Sequence, residues 1–456
     1  VIKSIYRISK TILLVLLVGS SMVLSYFLWS GNLEKGTEIG FVQGTSLPIS
    51  TTPVLNDTIS PYQITVQRDN EYADVQPNSS EYQTWTSILL SAQASHPKVI
   101  GSLPSDVIAS ATFNFGIEIN DGLGNKWMKN LTQALTGWQC RTIVLYAERG
   151  EALCHIAYVG ENDAGTDSIL SASTGLTAEQ MMQTVSAEVE KQPATAWNDF
   201  QSISLVPEHG SMQRLVYTTQ SPDLLPLIHT FFVNPQAITR IAETSHTNLW
   251  TDGSRAVQVD SQNSTLDYED PNASQEGIHT NDYVTAINFL HAHGGGPTDL
   301  IGFDSYSALT VDPNAPSIVF TQYVDGYPIL NNGANYSMSI DTGRVLQFDR
   351  PLWTLGTLAR KKTVPILDAK RLGSILKRIA PSTPLDSFHV ELGYVPLLPG
   401  SRSRYTSPPS SSAAKRSVVQ ANHVELEPAY YISSTSGNIW VIDAVTGEVL
   451  PGGQAT

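Results

Sequence analysis

Three histidines, two aspartates and a glycine pair are the places where this sequence offers side chains or backbone for chemistry. His291 and His293, with His279 upstream, would present imidazole nitrogens to a transition metal. Their spacing argues otherwise. On a helix, residues i and i+2 point to different faces, and histidines near a helix C-terminus are accounted for by the dipole. Asp163 and Asp167 could offer oxygens to calcium, but the ligand spacing of an EF-hand is absent and a solvated loop is the reading. Gly122-x-Gly124 begins like a phosphate-cradling loop but lacks the third glycine. Asp252, Gly253 and Arg255 read as a turn whose arginine bonds a neighbouring strand. The sequence contains no His-Glu-x-x-His, Gly-x-Ser-x-Gly, P-loop or dinucleotide fingerprint. The expectation is a non-enzyme with no catalytic residue, no metal site and no cofactor.

The two cysteines are the remaining reactive groups. Cys140 and Cys154 fall on the apolar, β-branched runs Gln139–Ala147 and Ala152–Val159, which a turn at 148–151 would join as a hairpin. Centring that turn on Arg149 and Gly150 pairs Cys154 with Leu145, five residues from Cys140. At roughly 3.3 Å per residue this offset is too long for a disulfide, so two buried thiols are expected. A slip of the register or a bulge would change that.

The elements that carry these residues lie beyond an N-terminal apolar run. Thr11 to Trp29 is uncharged over 19 residues, about 28 Å as a helix, close to the hydrocarbon thickness of a bilayer. Lys3, Arg7 and Lys10 precede it and the first carboxylate, Glu34, follows it. The positive-inside rule then leaves residues 1–10 in the cytoplasm and exports the rest, making a single-pass cell-membrane protein. A cleaved signal peptide is the rival, but the bulky Ser25–Trp29 stretch lacks a small-x-small cleavage site. Within the run, Gly19, Ser20, Ser21 and Ser25 would let a second transmembrane helix approach closely. Of the chain's 27 basic residues, the 24 beyond this segment face 42 acidic ones, a net of −18. A surface that acidic has no electrostatic footprint for nucleic acid and would be repelled by anionic lipid.

Past a Gly-, Thr- and Pro-rich tether (30–60), the pattern divides the chain into an N-terminal α+β domain (61–205), a central domain (206–350) and a C-terminal domain (351–456). Helical spacing marks Glu81–Ala94, Lys126–Leu135 and Thr177–Lys191, the last with a capping-box pair at Thr177 and Gln180. The second half repeats itself. Tyr336–Leu346 and Asn438–Leu450 share a strand, Ile-Asp, Thr-Gly, a charged residue and Val-Leu, with Thr342, Gly343, Thr446 and Gly447 in the turns. Each follows a helix, at Thr280–His293 and Asp368–Ile379, so two related helix-plus-hairpin units are expected. Residues 399–422, rich in Ser, Pro and Arg, read as a mobile surface loop. The fold class is α+β with antiparallel sheets, because the strands come in hairpins rather than between crossover helices.

Phe231-Phe-Val-Asn-Pro235, then Trp250, Thr251, Asp252, Gly253, Ser254 and Arg255, a strand, and Leu266-Asp-Tyr268 resemble the YycH family. Phe289–Gly295, Tyr323–Ile329 with Asp325 and Gly326, and Phe348–Pro351 are similar to the same family. The Thr-Gly hairpins and Leu426–Tyr431 also look like PepSY-type modules, which the YycI family shares. Trp250, Asn234 and the 399–422 insertion depart from the pattern. The resemblance implies an accessory protein that adjusts a sensor histidine kinase of the WalK (YycG) type. It would act with a YycI-like partner through transmembrane and outer-domain contacts, and so act on cell-wall metabolism through the regulator WalR. A homo-oligomer is compatible with it. The Thr-Gly repeats suggest a different class, a PepSY-type inhibitor or binder of an extracellular protease.

Overall fold

The computed structural model describes residues 54–120, 122–128, 138–161, 167–198, 203–271, 281–304, 317–330, 334–397, 423–435 and 437–450. The expected membrane helix Thr11–Trp29, its Gly19, Ser20, Ser21 and Ser25, the loop 399–422, Asp163 and His279 lie outside them. Among the described residues no helix is long and apolar enough to cross a membrane.

The first sheet is built from residues the sequence reading placed in the N-terminal domain. Its strands are β1 (Pro61–Arg68), β2 (Glu71–Val75), β3 (Ser95–Ile100), β4 (Val107–Ile119), β5 (Gln139–Glu148), β6 (Leu153–Glu161), β7 (Asp167–Thr177), β8 (Pro193–Asn198) and β9 (Ile203–Pro207). They lie in the order β3-β7-β6-β5-β4-β1-β2-β8-β9. Helix α1 (Leu55–Thr58) precedes them, and α2 (Ser80–Ser91) and α3 (Ala178–Lys191) are inserted between strands. Ser79 caps α2 by accepting from the Tyr82 amide, and Thr177 with Gln180 forms the expected capping box on α3. Met181, Val185 and Val189, four residues apart, are the buried stripe of α3. Each contributes about 1.5–3 kcal/mol of apolar burial. Of the helix expected at Lys126–Leu135, a short 3₁₀ turn at Asn125–Trp127 is described; residues 129–137 are not.

Strand β10 (Ser211–Gln220) and helix α4 (Leu224–Thr230) lead into the second sheet. Its strands are β11 (Thr239–Ala242), β12 (Thr247–Thr251), β13 (Ala256–Asp260), β14 (Thr265–Glu269), β15 (Leu300–Asp304), β16 (Ile318–Val324), β17 (Tyr327–Pro328), β18 (Tyr336–Asp341) and β19 (Arg344–Pro351). The order is β11-β12-β13-β14-β19-β18-β16-β15, with β17 folded back on β16. Helix α5 (Asp282–Ala292) is capped by Asn281. The third sheet takes β20 (Thr354–Pro365), β21 (Phe388–Leu397), β22 (His423–Ser434), β23 (Ile439–Asp443) and β24 (Val449–Leu450), with α6 (Ala369–Ile379) before β21. Its order is β20-β10-β22-β23-β24, β21 lying on the other side of β22. Neighbouring strands in all three sheets run antiparallel, as the hairpin pattern requires.

The internal repeat is a repeat of topology. After α5, β15-β16-β18-β19 form a four-strand meander; after α6, β21-β22-β23-β24 form another. In both, the Thr-Gly turn joins the third strand to the fourth. The first is a two-residue turn with Thr342 and Gly343 at positive φ. The second is two residues longer, and Asp443 Oδ1 holds it by accepting from the Val445 and Thr446 amides.

Three details differ from the sequence reading. Thr58 and Ile59 are fully buried, so the end of the presumed tether is part of the first core. In the β5–β6 hairpin Leu145 faces Ile156 rather than Cys154. The turn is wider than a two-residue loop, and at its start Arg149 donates its amide to the Asp106 carbonyl, continuing the β4–β5 ladder by one rung. Cys140 faces Gly160, still far from Cys154, and both thiols are free and buried. Finally, β10 pairs with β20 and β22 of the third sheet rather than with the central strands.

The sheets interlock. One apolar cluster runs from Ile59 through the first and second sheets to Leu352. At that seam Gly116 lies so close to Gly302 that a Cβ would sit 2.4 Å from the Gly302 carbonyl oxygen. Arg141 bridges Glu118 at 3.2 Å and Asp304 at 2.8 Å, and the Tyr283 hydroxyl donates to Thr58 at 2.8 Å. The third sheet joins through Ser204 on β9, which accepts from the Val390 amide at 2.8 Å, and through Leu330, whose amide donates to the Tyr394 carbonyl at 2.7 Å.

Candidate functional site

The stretch Trp250 to Arg255 folds as the turn between β12 and β13. Asp252 Oδ1 accepts from the Ser254 and Arg255 amides at 2.9 Å each and from the Ser254 hydroxyl at 2.8 Å. Gly253, at φ +92°, takes a backbone conformation that costs side-chain-bearing residues dearly. Thr251 closes the loop, accepting from the Gly253 amide and donating to the Arg255 carbonyl at 2.7 Å. Burial pushes the Asp252 carboxyl up, but the hydrogen bonds from Arg255 and Ser254 outweigh it and hold it below the usual range.

This turn aims Arg255 inward. Its Nε donates to Asp270 Oδ2 at 3.0 Å and its Nη1 to the Phe231 carbonyl, at the end of α4, at 3.4 Å. Tyr268 adds a long hydrogen bond to the same carboxylate oxygen, 3.5 Å. Burial, then the Asp270 charge, pushes the Tyr268 phenol up to about 12. The Phe231 ring packs at a tilt against Tyr268 at 5.1 Å and lies nearly parallel to His293 at 4.4 Å. Phe289 from α5 packs edge-on against Phe348 from β19 at 5.4 Å.

His293 closes α5. Its Nδ1 lies 3.0 Å from the Thr230 hydroxyl, and its carbonyl accepts from Arg350 Nη1 at 2.6 Å. Arg350 is 3% exposed and lies over the Tyr336 ring at 5.3 Å. Gly294, at φ +91°, leaves room for it, since a Cβ there would sit 2.8 Å from that guanidinium. Burial, followed by the positive charges of Arg255 and Arg350, lowers His293 to about 4. It is therefore a neutral ring at neutral pH. For His293 this corrects the dipole explanation, since a neutral, stacked imidazole has no charge to offer the helix end; His291 does lie in the last turn of α5. Among the described residues no group of His, Cys, Asp and Glu is arranged to hold a metal.

Stretches scattered from Phe231 to Arg350 thus converge on one aromatic and guanidinium cluster. Trp250, Thr251, Asp252, Gly253, Arg255 and Tyr268, singled out in the sequence, belong to it or to the turn that feeds it. Asp325 and Gly326 do not. They form the positive-φ turn between β16 and β17, and a Cβ on Gly326 would meet the Pro77 carbonyl of the first sheet's connections at 2.5 Å. Thr342, Gly343, Thr446 and Gly447 stay in their separate hairpins. Sequence reasoning missed Asp270, Arg350 and the stacking role of His293. Arg350 had a signal: it shares strand parity with Phe348, on the inward side of β19, where a charge must find partners.

A second, partly buried cluster lies where the three sheets meet. Asp74 on β2 accepts from Gln76 at 2.5 Å, and burial raises it to about 6 against the opposing pull of Gln76 and Gln63. Glu391 on β21 has one carboxylate oxygen fully out of solvent with no hydrogen-bond partner among the described residues. Burial, partly offset by His389 and reinforced by Asp74, brings Glu391 to about 7. Tyr323 on β16 is pushed far up by burial and by these two carboxylates.

The profile of the YycH protein N-terminal domain matches residues 8–99, and that of the YycH protein C-terminal domain matches residues 201–379. No curated protein matches the chain. Among solved structures, the fold is similar to the crystal structure of YycH from Bacillus subtilis, with a TM-score of 0.60 and 15% sequence identity. That similarity covers 86% of this chain and 97% of the other. With both domain profiles matched over more than half of its length, the chain belongs to the YycH family.

Proposed function

We propose that this protein is a membrane-anchored, extracytoplasmic accessory protein that modulates a sensor histidine kinase of the WalK (YycG) type, together with a YycI-like partner. Family membership carries the reading. The matched N-terminal domain spans residues 8–99 and so takes in the apolar run Thr11–Trp29 as part of the family pattern. Anchor and outer domains are then parts of one device.

The physical basis is a bias on a kinase with two conformations. An accessory chain that binds one of them better shifts the balance by that difference in affinity and by nothing else. Helix contacts through Gly19, Ser20, Ser21 and Ser25 would supply part of the difference, and outer-domain contacts the rest. The residues matched to the family support this reading by what they do in the fold. Arg255, Asp270, His293 and Arg350 hold three elements together and present a neutral imidazole and a paired carboxylate, which suits a rigid scaffold better than acid–base chemistry.

The test is co-purification. Full-length protein solubilised with its native membrane partners should carry the sensor kinase with it, and a chain with an unrelated transmembrane helix should carry less. Equal recovery of kinase by both, or by neither, overturns the helix-contact part. The repeated helix-plus-meander units motivate the second reading, a PepSY-type binder of an extracellular protease; inhibition of a secreted protease by the purified chain would favour it.

A further inference from the structure

Strand β20 forms the outer edge of the third sheet and, among the described residues, pairs on one side only, with β10. Seven successive residues, 357–363, are exposed, so both faces of the strand stand in water there as well as its free edge. A register shift between Leu358 and Arg360 and the proline at 365 bound the regular ladder. Between them lie Arg360, Lys361, Lys362 and Thr363. Three adjacent cations on one edge are unexpected in a chain of net charge −15. Among the described residues none of the three has a carboxylate partner; across the ladder Arg360, Lys361 and Lys362 face Val216, Leu215 and Arg214. Arg214 is itself taken up by Glu427. Among the described residues, the edge therefore presents uncompensated positive charge beside backbone groups that no neighbouring strand pairs.

Charge decides what can dock there. A second copy pairing through its own β20 would bring two basic triplets within a Debye length of each other, and like charges facing across strands are destabilising. The chain's own segment 398–422 carries Arg402, Arg404, Lys415 and Arg416 and no carboxylate, so its charge is wrong as well. Lysines on an edge also serve to keep sheets from self-pairing. The two roles coincide, since the charges that reject a copy select an acidic strand. We propose that β20 is a docking edge for an extended acidic segment of a partner protein, added as one more strand. Alternating side chains would set its carboxylates against Arg360 and Lys362 on one face and Lys361 on the other. The proposal does not depend on which membrane assembly the protein serves.

The experiment uses the full chain in detergent and a fluorescent peptide with a run of consecutive Glu residues flanked by Val. Anisotropy should report binding that weakens about tenfold or more at high salt, and likewise in the Arg360→Glu, Lys361→Glu, Lys362→Glu variant. The wild-type chain should also reject the same peptide N-methylated at successive residues, which keeps every charge but removes the donors needed for strand addition. Equal binding of the N-methylated peptide overturns the proposal in favour of a bare charge patch. Failure of the acidic peptide to bind overturns it too, and binding of inorganic polyphosphate in its place through the same three residues would assign the edge to a non-peptide polyanion.

Discussion

Replacing Glu391 by glutamine is expected to stabilise the protein in alkaline solution and leave it little changed in acid. Glu391 sits on β21 opposite Tyr431, with Oε2 buried and lacking a hydrogen-bond partner among the described residues. The groups facing it are His389, Asp74, Tyr323 and Tyr431. Burial raises its carboxyl from 4.5 to about 7, His389 opposing and Asp74 assisting. A folded-state value above the unfolded one means that the protonated carboxyl favours the folded state. That contribution is complete below about pH 4.5 and is lost as the pH rises through about 7. The gap is worth about 3 kcal/mol once the group is fully ionised, at about 1.4 kcal/mol per pH unit of displacement. Urea unfolding of the purified chain at intervals between pH 5 and pH 8.5 should show wild-type stability falling across this range. The Glu391→Gln variant should fall by about 2–3 kcal/mol less, because the carboxyl can no longer ionise. Asp74→Asn should reduce the wild-type slope as well, since it removes both its own raised carboxyl and the like charge beside Glu391. Identical slopes for wild type and Glu391→Gln would refute the argument that this buried carboxyl is neutral in the fold.

Other expectations follow from the same physics. Asp270→Asn removes the partner of a partly buried guanidinium and should cost about 2 kcal/mol of unfolding free energy, read by denaturant titration. Gly294→Ala forces a side chain into a left-handed backbone and against Arg350, and should cost about 2–4 kcal/mol; a neutral result would mean that the His293–Arg350 packing is loose. Asp267 faces Asp349 across β14 and β19 and is raised to about 6 by burial and then by Asp349. Its stabilising contribution is complete only below about pH 3.8 and is lost as the pH rises through about 6, so Asp267→Asn should gain about 1–2 kcal/mol at pH 8 and nothing at about pH 3. Burial pushes Cys154 up to about 11 and Cys140 higher still, so both thiols should be inert to a thiol reagent in the native protein and both should titrate in denaturant. No free thiol in denaturant would contradict their unbridged state.

Local signals in the sequence were faithful where a few adjacent residues decide the structure. Thr177 and Gln180 cap their helix reciprocally, Asp368 begins its own, and the Thr-Gly pairs turn the hairpins, while the helix expected from Thr280 is capped one residue later, by Asn281. These depend on hydrogen bonds closed within about four residues. Pairings over long separations left no local trace. Strand β10 finds β20 more than a hundred residues later because its inward residues Met212 and Leu215 complete the third sheet's core. The β5–β6 register differs from the expected one because the loop between the strands is longer than two residues, Leu145 facing Ile156. The cluster around Arg255 was half legible. Its turn could be read from Asp252, Gly253 and Arg255, but its partners Asp270, His293 and Arg350 arrive from separate elements. Glu391 and Asp74 were invisible for a related reason, since only the meeting of three sheets buries them.

The central claim, that anchor and outer domains together bias a sensor kinase, is tested most directly by measuring response-regulator phosphorylation in cells of three kinds. These carry the native protein, no protein, and the protein with an unrelated transmembrane helix. The account predicts that deletion changes the phosphorylated fraction, in either direction, and that the helix-swapped protein fails to restore the native level while remaining folded at the membrane. A phosphorylated fraction that is the same in all three would contradict it.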